Sequence, residues 1–263
     1  MMFKPKKFLG QNFLINEKIA DQIIEAADLM KTDTVLEIGP GTGILTERLV
    51  RVAHEVLAVE KDFDLVDKLR RRMSQKNLKI VHQDALWFDL SLLPKYKVVA
   101  NIPYNITSPL IRKFIENKPN PELMIIMVQF EVAERITAKP GDSSRGLLTL
   151  IVEFYAQAEI LFEVSRKEFL PSPKVDSAVI KIVPKEKLPK IEPKLFFKVV
   201  KAGFSSKRQQ IHNSLAGTLR LEKDQVVKLL ADTKIDPKMR AEDLTLDQWI
   251  NLANNYKKSI LDL

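Results

Sequence analysis

The sequence predicts an α/β fold with a mostly parallel sheet of about seven strands, followed by a small all-α domain. Through the first two thirds of the chain, short apolar runs of β type alternate with segments whose apolar residues have helical spacing. Apolar strands separated by helices are typical of a parallel sheet that is covered on both faces. Pro184, Pro189 and Pro193 then punctuate a charged linker. We therefore expect two domains, residues 1–184 and residues 185–263.

The same two periodicities place the individual elements. A first helix is predicted over residues 17–29, with Asn16 as its N-cap, because an Asn side chain accepts hydrogen bonds from the free N–H groups of a first turn. Further helices are predicted after the first strand to about Val52, from Asp62 to about Met73, over residues 107–116, and as four or five short segments within residues 194–263. Strands are predicted at residues 34–38, 55–59, 78–81, 97–100, 123–128, 158–164 and 177–183.

Composition narrows the class of protein. The 263 residues include no cysteine, and the three histidines lie far apart in the sequence, so disulfides and metal sites are not expected. No apolar run has the length of a membrane span. The basic N-terminus is not followed by the apolar stretch of a secretory signal. We therefore expect a cytoplasmic protein that binds neither a metal nor a membrane.

The positive charge of the chain is concentrated in two places. The formal net charge is +8, and residues 185–208 contain eight Lys and Arg residues against two acidic residues. Clustered basic residues are typical of a surface that binds a nucleic acid, although a solvated lysine-rich linker is the alternative. The predicted RNA-binding residues are Lys4, Lys6 and Lys7 in the N-terminal arm, and Lys198, Lys201, Lys207 and Arg208 after the linker.

Acidic residues and glycines occur where the first three predicted strands end. Residues 37–43 (EIGPGTG) join the first strand to its helix, where glycines let a ligand approach the backbone. Glu60 ends the second strand, and its carboxylate can accept from both hydroxyls of a ribose. These two features fit a nicotinamide dinucleotide as well as S-adenosylmethionine. Asp84, after the third strand, can accept from an adenine amino group and Glu37 from a methionine ammonium, which favours S-adenosylmethionine.

The tetrapeptide Asn101-Ile102-Pro103-Tyr104 follows the fourth predicted strand. The Asn101 side-chain oxygen and a backbone carbonyl can accept from an amino group, while the Tyr104 ring stacks on the attached base. In an open α/β sheet, ligands bind at the carboxyl ends of the strands. We therefore expect the amino group and the cofactor to meet in one crevice. A surface turn of the Asn-x-Pro kind is the alternative.

Four stretches together resemble the ribosomal RNA adenine N6,N6-dimethyltransferase family, of the KsgA type. In order over about residues 7–183, they are residues 7–14 (KFLGQNFL), the loop at residues 39–43, residues 101–104 and residues 169–177 (FLPSPKVDS). Ile102 stands where some relatives have Leu. The resemblance implies a Rossmann-like class I methyltransferase that uses S-adenosylmethionine to dimethylate two adjacent adenines near the 3′ end of small-subunit ribosomal RNA. It also implies ribosome biogenesis as the setting, a pre-ribosomal particle as the partner and a monomeric enzyme.

The resemblance also implies the roles of individual residues. Gln11, Asn12 and Leu14 are expected to close over the cofactor, and Phe169 to flank the target base unless it belongs to the core. The family of macrolide-resistance methylases, which modify one adenine of large-subunit ribosomal RNA, is the nearest alternative. A non-catalytic ribosome-assembly or transcription factor on the same fold and a nicotinamide oxidoreductase are the others. The expected catalytic residues are Asn101, Ile102, Pro103, Tyr104 and Phe169, and the expected cofactor-binding residues are Gln11, Asn12, Leu14, Glu37, Gly39, Gly41, Glu60, Lys61, Asp84, Ala85 and Asn101.

Overall fold

A computed structural model describes residue 6 and residues 10–261 of the chain. The chain folds into two compact units. The first comprises Met1–Glu134 and Ala156–Lys185, and the second comprises Arg135–Tyr155 and Glu186–Leu263. The second unit therefore includes residues 135–155, which the sequence analysis assigned to the N-terminal domain.

The first unit is built on a seven-stranded sheet, as predicted. Its strands lie in the order β4-β3-β2-β5-β6-β9-β7; the first five pair in parallel, and β9 lies antiparallel to both β6 and β7. A separate two-stranded sheet pairs β1 with β8. The strands are β1 (Phe13–Leu14), β2 (Thr34–Ile38), β3 (Glu55–Glu60), β4 (Leu78–His82), β5 (Lys97–Asn101), β6 (Leu123–Gln129), β7 (Ala156–Val164), β8 (Phe169–Leu170) and β9 (Ser177–Pro184).

Two helices of the first unit, α1 and α3, begin at a side-chain cap that the sequence supplies. Asn16 accepts from the N–H groups of Lys18 and Ile19, and Asp62 accepts from the N–H of Asp64. Both side chains satisfy backbone donors that a first turn leaves free. The helices are α1 (Glu17–Ala26), α2 (Thr46–Val52), α3 (Phe63–Arg72) and α4 (Thr107–Glu116), and α5 (Phe130–Thr137) crosses from the first unit into the second.

The central strands of the sheet are apolar because helices cover them on both faces. All five residues of β2 are buried, as are the middle residues of β5 and β6. Neighbouring parallel strands end at the same edge, so Ile38, Glu60 and Asn101 come close together there. This edge positions the candidate site.

The second unit has its own helical core. It contains α6 (Leu147–Tyr155), α7 (Pro193–Gly203), α8 (Ile211–Leu219), α9 (Lys223–Asp232) and α10 (Leu246–Leu261). Trp249 is fully buried, and a Cβ placed on Gly203 would come within 2.3 Å of its ring, so α7 and α10 pack closely at a residue without a side chain. None of the helices in the described part of the chain is long and apolar enough to cross a membrane.

Candidate functional site

A cleft of about 230 Å³ lies at the carboxyl edge of the parallel strands. It gathers residues from the ends of β2, β3, β4 and β5 and from the segment that includes β1. Every residue predicted to bind the cofactor and all four residues of the tetrapeptide line it, and so do several that were not predicted. The cleft is lined by residues 10–14, 37–42, 44, 45, 59–61, 65, 83–85 and 101–106.

The glycines of the loop after β2 are required by the backbone and by close neighbours. Gly39 and Gly41 have φ values of +64° and +59°, which L-residues with side chains rarely adopt. A Cβ on Gly41 would lie 3.0 Å from the Phe13 ring, and one on Gly39 would lie 3.5 Å from Pro103 Cδ. The glycine loop therefore contacts both the β1 segment and the tetrapeptide, and a side chain at either position would intrude on the cleft.

Glu60 supports this loop from the end of β3. Its Oε2 accepts from the N–H of Gly41 at 3.3 Å, and its Oε1 accepts from the N–H of Asp62 at 2.8 Å. Burial raises the pKa of Glu60, and these backbone N–H groups oppose the rise. A carboxylate oxygen accepts more than one hydrogen bond, so both oxygens remain able to bind the hydroxyls of a ribose.

Glu37 is a buried carboxyl with one oxygen that lacks a donor. Only 1% of the residue is exposed, and among the described residues no donor reaches its Oε2. Burial raises the pKa of Glu37 to about 8 and the nearby Glu60 carboxylate adds to the rise, while hydrogen bonds with Thr46 oppose it. A buried acceptor without a donor is unfavourable, so this site suits a ligand that brings a cation or N–H donor to Glu37. The methionine ammonium of S-adenosylmethionine meets that requirement.

Asp84, Lys61 and Ala85 form one wall of the cleft. Lys61 Nζ donates to Asp84 Oδ2 at 2.8 Å, and the N–H of Leu86 donates to Asp84 Oδ1 at 2.9 Å. Burial acts to raise the pKa of Asp84, but the two donors outweigh it and hold the pKa below its usual value. Asp84 is therefore an ionised acceptor at neutral pH, suited to an exocyclic amino group.

The N-terminal arm is fastened to the start of α3 by a hydrogen-bond and ion-pair network that the sequence did not predict. Gln11 Nε2 donates to Asp62 Oδ2 at 2.8 Å, while Gln11 Oε1 accepts from the N–H of Lys6 at 2.7 Å. Lys6 Nζ is 2.6 Å from Asp62 Oδ1 and 2.7 Å from Asp64 Oδ2. Lys6, predicted to bind RNA, is thus already paired with two carboxylates. Asp62 signalled only a helix cap in the sequence.

The tetrapeptide lines the cleft from the end of β5, of which Asn101 is the last residue. Asn101 Nδ2 donates to the Asn12 carbonyl at 3.2 Å, which leaves Asn101 Oδ1 to accept. The Pro103 carbonyl accepts from the N–H of Ile106 at 3.1 Å. Only 1% of Ile102 is exposed, so this residue anchors the turn in the core.

Tyr104 is held at the cleft by its hydroxyl. Its oxygen lies 2.7 Å from Ser177 Oγ at the start of β9, and burial raises the pKa of Tyr104. The bond fixes the ring by its far end, so that a ring face remains for stacking on a base. Ser177 is the last residue of the stretch at residues 169–177, and its spacing gave no indication of this contact.

Phe169 is buried. It was expected to flank the target base, but only 2% of it is exposed, and it packs in the core of the first unit with Leu14. The cause is the pairing of β8 with β1, in which Phe169 lies opposite Leu14. Phe169 therefore belongs to the core, and its place beside the target base stays a prediction. Leu14 is also a core residue, although it lines the cleft.

The remaining predicted RNA-binding residues belong to the second unit or lie outside the described residues. Lys198 and Lys201 are exposed on α7, and Lys207 and Arg208 are exposed in the turn that follows it. Lys198 Nζ lies 5.2 Å from the centre of the Tyr256 ring, close enough for a cation–π contact. Lys4 and Lys7 fall outside the residues that the structure describes.

In the described ranges, residue 6 and residues 10–261, no cluster of three or more side chains is arranged to hold a metal ion. The groups that line the cleft are instead carboxylates, amides, carbonyls and aromatic rings. This donor set fits a nucleoside that carries a cationic tail.

Comparisons with known proteins agree with this geometry. The chain matches the family described as "Ribosomal RNA adenine dimethylase" over residues 2–258. It is 47% identical to "Ribosomal RNA small subunit methyltransferase A" of Fusobacterium nucleatum subsp. nucleatum over 264 residues, which cover 98% of this chain and 99% of that protein.

Two solved structures are similar over most of the chain. The crystal structure of a dimethyladenosine transferase from Plasmodium falciparum aligns with a TM-score of 0.83 and 30% identity, covering 94% of this chain and 98% of that one. The crystal structure of the 23S rRNA methyltransferase ErmE aligns with a TM-score of 0.73 and 28% identity, covering 94% of this chain and 100% of that one.

Proposed function

Because this chain belongs to the ribosomal RNA adenine dimethylase family, we propose that its cleft methylates N6 of two adjacent adenines near the 3′ end of small-subunit ribosomal RNA. The protein is an S-adenosylmethionine-dependent methyltransferase that acts on small-subunit ribosomal RNA, and its product is N6,N6-dimethyladenosine. One observation carries the assignment of residues: the acidic strand ends and the tetrapeptide line the same cleft.

The cofactor half of the cleft comprises Glu37, Glu60 and Asp84. Glu37 Oε2 accepts from the methionine ammonium, which supplies the donor that this buried carboxyl lacks. Glu60 accepts from the ribose hydroxyls, and Asp84 accepts from the amino group of the cofactor adenine. Bound there, S-adenosylmethionine supplies an electrophilic methyl group on a positively charged sulfur.

The tetrapeptide holds the nucleophile. Asn101 Oδ1 and the Ile102 carbonyl accept from the two N–H groups of the target adenine, while Tyr104 stacks on its ring. The amino lone pair is normally delocalised into the ring, and two acceptors in this arrangement turn it outward toward the methyl group. Positioning and electrostatics then carry the reaction without a strong base, because the amino proton becomes acidic only as the new bond forms.

The RNA outside the cleft is bound by positive charge. Lys198 and Lys201 lie three residues apart on the exposed side of α7, and Lys207 and Arg208 follow it, so four cations occur within eleven residues. Such a cluster neutralises phosphates without reading sequence. We assign phosphate contact to these residues of the second unit, and a role in fastening the N-terminal arm to Lys6.

The setting of the reaction is part of the proposal. The presence of both the cofactor wall and the tetrapeptide in one chain supports a monomeric enzyme. Its substrate is the ribosomal RNA of a pre-ribosomal small-subunit particle in the cytoplasm.

The test is methyl transfer from labelled S-adenosylmethionine to small subunits that lack the modification, followed by mass spectrometry of the RNA. We expect two adjacent dimethylated adenines near the 3′ end of the small-subunit RNA. Asn101→Ala, which removes one acceptor, is expected to abolish transfer while the protein still folds and binds RNA. Methylation of large-subunit RNA alone would favour the macrolide-resistance alternative. No methylation of either RNA would favour the non-catalytic factor.

A further inference from the structure

Lys113 lies on the second turn of α4, outside the lining of the cleft, and binds the loop that carries one of its walls. Its Nζ donates to the carbonyls of Ala85 and Leu86 at 2.9 Å each, and to the carbonyl of Phe88. An ammonium group has three donors, and all three have a backbone acceptor here. The side chain is half-buried, so these bonds are partly shielded from water.

The loop after β4 is shaped so that its carbonyls meet at one point. The N–H of Leu86 donates to Asp84 Oδ1, and the N–H of Trp87 donates to the Asp84 carbonyl at 2.9 Å, which closes a tight turn. Three carbonyl oxygens that converge on one point repel each other unless a cation lies between them. The turn therefore requires the Lys113 ammonium, or another cation, to keep this conformation.

The electrostatic surroundings keep a cation at this position. Burial lowers the pKa of Lys113, while the carboxylates of Asp84 and Asp89 act in the opposite direction. The ammonium thus lies between three carbonyl dipoles and two nearby acids. Each of these groups favours the charged form of Lys113.

We propose that Lys113 is a positioning residue that holds the Asp84–Ala85 wall of the cleft in place for the cofactor adenine. The inference rests on the proposed function, because it takes this wall as the adenine subsite. It also gives α4 a second role. The helix begins at Thr107, three residues after Tyr104, so one helix supports the tetrapeptide at its start and the cofactor wall through its second turn. The separation of the two adenine sites is set by that helix.

The test is cofactor binding by Lys113→Met, which keeps the length of the side chain and removes its charge. S-adenosylhomocysteine and its inosine analogue, which lacks the exocyclic amino group, are titrated by calorimetry. For Lys113→Met we expect affinity for S-adenosylhomocysteine to fall about tenfold, since three charge-assisted hydrogen bonds are lost. We also expect the preference for adenine over hypoxanthine to shrink. In methyl transfer, KM for S-adenosylmethionine rises while kcat at saturation is retained.

Matched variants separate positioning from simple stability. Arg112→Met removes a cation from the neighbouring position of α4, where Arg112 pairs with Glu116, and is expected to leave both affinities unchanged. Lys113→Ala is expected to recover affinity when ethylammonium is added, because a free cation can occupy the same point. For Lys113→Arg, whose planar fork matches three converging carbonyls poorly, we expect an affinity between those of the wild type and Lys113→Met. This variant keeps the test available if the Met variant does not fold.

The outcomes separate the inference about Lys113 from the proposed adenine subsite. Unchanged affinity in a folded Lys113→Met protein overturns the inference, and so does an equal loss for the adenine and inosine ligands. Failure of the wild-type protein to prefer adenine, or an Asp84→Asn variant that keeps the wild-type preference, overturns the proposed adenine subsite instead.

Discussion

Replacing Glu37 with Gln tests the electrostatics at the centre of the cleft. Burial raises the pKa of Glu37 to about 8 in the folded protein, whereas a glutamate in an unfolded chain titrates near its usual value of about 4.3. The folded state therefore holds a proton on Glu37 between these pH values and the unfolded state does not. The stability that this proton contributes is fully present below the unfolded pKa of about 4.3. It decreases as the pH rises above that value and is lost once the pH has passed through about 8. The amide introduced by Glu37→Gln does not titrate, so this variant lacks the dependence.

The size of the effect follows from the same values. Between pH 6 and pH 9 the wild-type protein is expected to lose roughly 3 kcal/mol of stability relative to Glu37→Gln. The reason is that the folded state binds one more proton than the unfolded state up to about pH 8, which costs about 1.4 kcal/mol per pH unit. Urea unfolding of both proteins at four pH values measures this difference, in which the contributions of titrating groups that do not interact with Glu37 cancel. A difference that stays constant from pH 6 to pH 9 refutes the raised pKa.

Ligand binding provides a second test of the protonation state of Glu37. A cationic ammonium beside the carboxyl favours its ionised form, so binding of S-adenosylmethionine near pH 7 is expected to release a proton from Glu37. Calorimetry in buffers of different ionisation enthalpy counts the protons released. We expect the count to approach one for the wild-type protein and to be lower for Glu37→Gln by nearly that amount. Equal counts would mean that the ammonium binds elsewhere in the cleft.

Three further predictions address the other parts of the site. Tyr104→Ala is expected to raise KM for the RNA, because it removes about 1–3 kcal/mol of stacking. Tyr104→Phe keeps the ring and loses only the bond to Ser177, so its effect is expected to be smaller. Equal effects of the two variants in steady-state assays would assign the role to the hydroxyl. Lys6→Met is expected to weaken S-adenosylmethionine binding and to leave the salt dependence of RNA binding unchanged. Titrations at several salt concentrations check this: unchanged cofactor binding with a lower salt slope would mean that Lys6 binds phosphate. Reversing the charge of Lys198 and Lys201 is expected to weaken RNA binding and to lower its logarithmic salt slope by about 0.7–0.9 per lost contact. Lys228→Glu on α9 is the control, since it has the same charge change per residue. An unchanged slope would mean that α7 is only a solvated surface.

The sheet and most of the cleft were predictable because they depend on local patterns. Apolar runs located the seven strands, and residues that follow parallel strands must meet at one edge, which brought Glu37, Glu60, Asp84 and Asn101 together. Long-range pairing was not predictable from these patterns. The pairing of β1 with β8 buried Phe169, and residues 135–155 joined the second unit through contacts distant in sequence. One of these is the Arg145 side chain, which reaches the Leu244 carbonyl at 3.3 Å.

Charge is the property of the site that the sequence represented least well, because a sequence shows which residues are charged but not which partner neutralises each one. Lys6 counted as a cation available to RNA, yet two carboxylates already pair with it. Asp84 has Lys61 as its partner, and Glu60 accepts from backbone N–H groups.

Glu37 alone among these carboxyls keeps an oxygen without a donor in the described structure, so a bound ammonium has its largest effect there. S-adenosylmethionine and S-adenosylhomocysteine both carry that ammonium and differ in charge only at the sulfur. Glu37 therefore contributes to holding either molecule and does not distinguish them. Discrimination between the methyl donor and its product must arise at the sulfur, between the methionine and the ribose, where we propose that the tetrapeptide faces the methyl group.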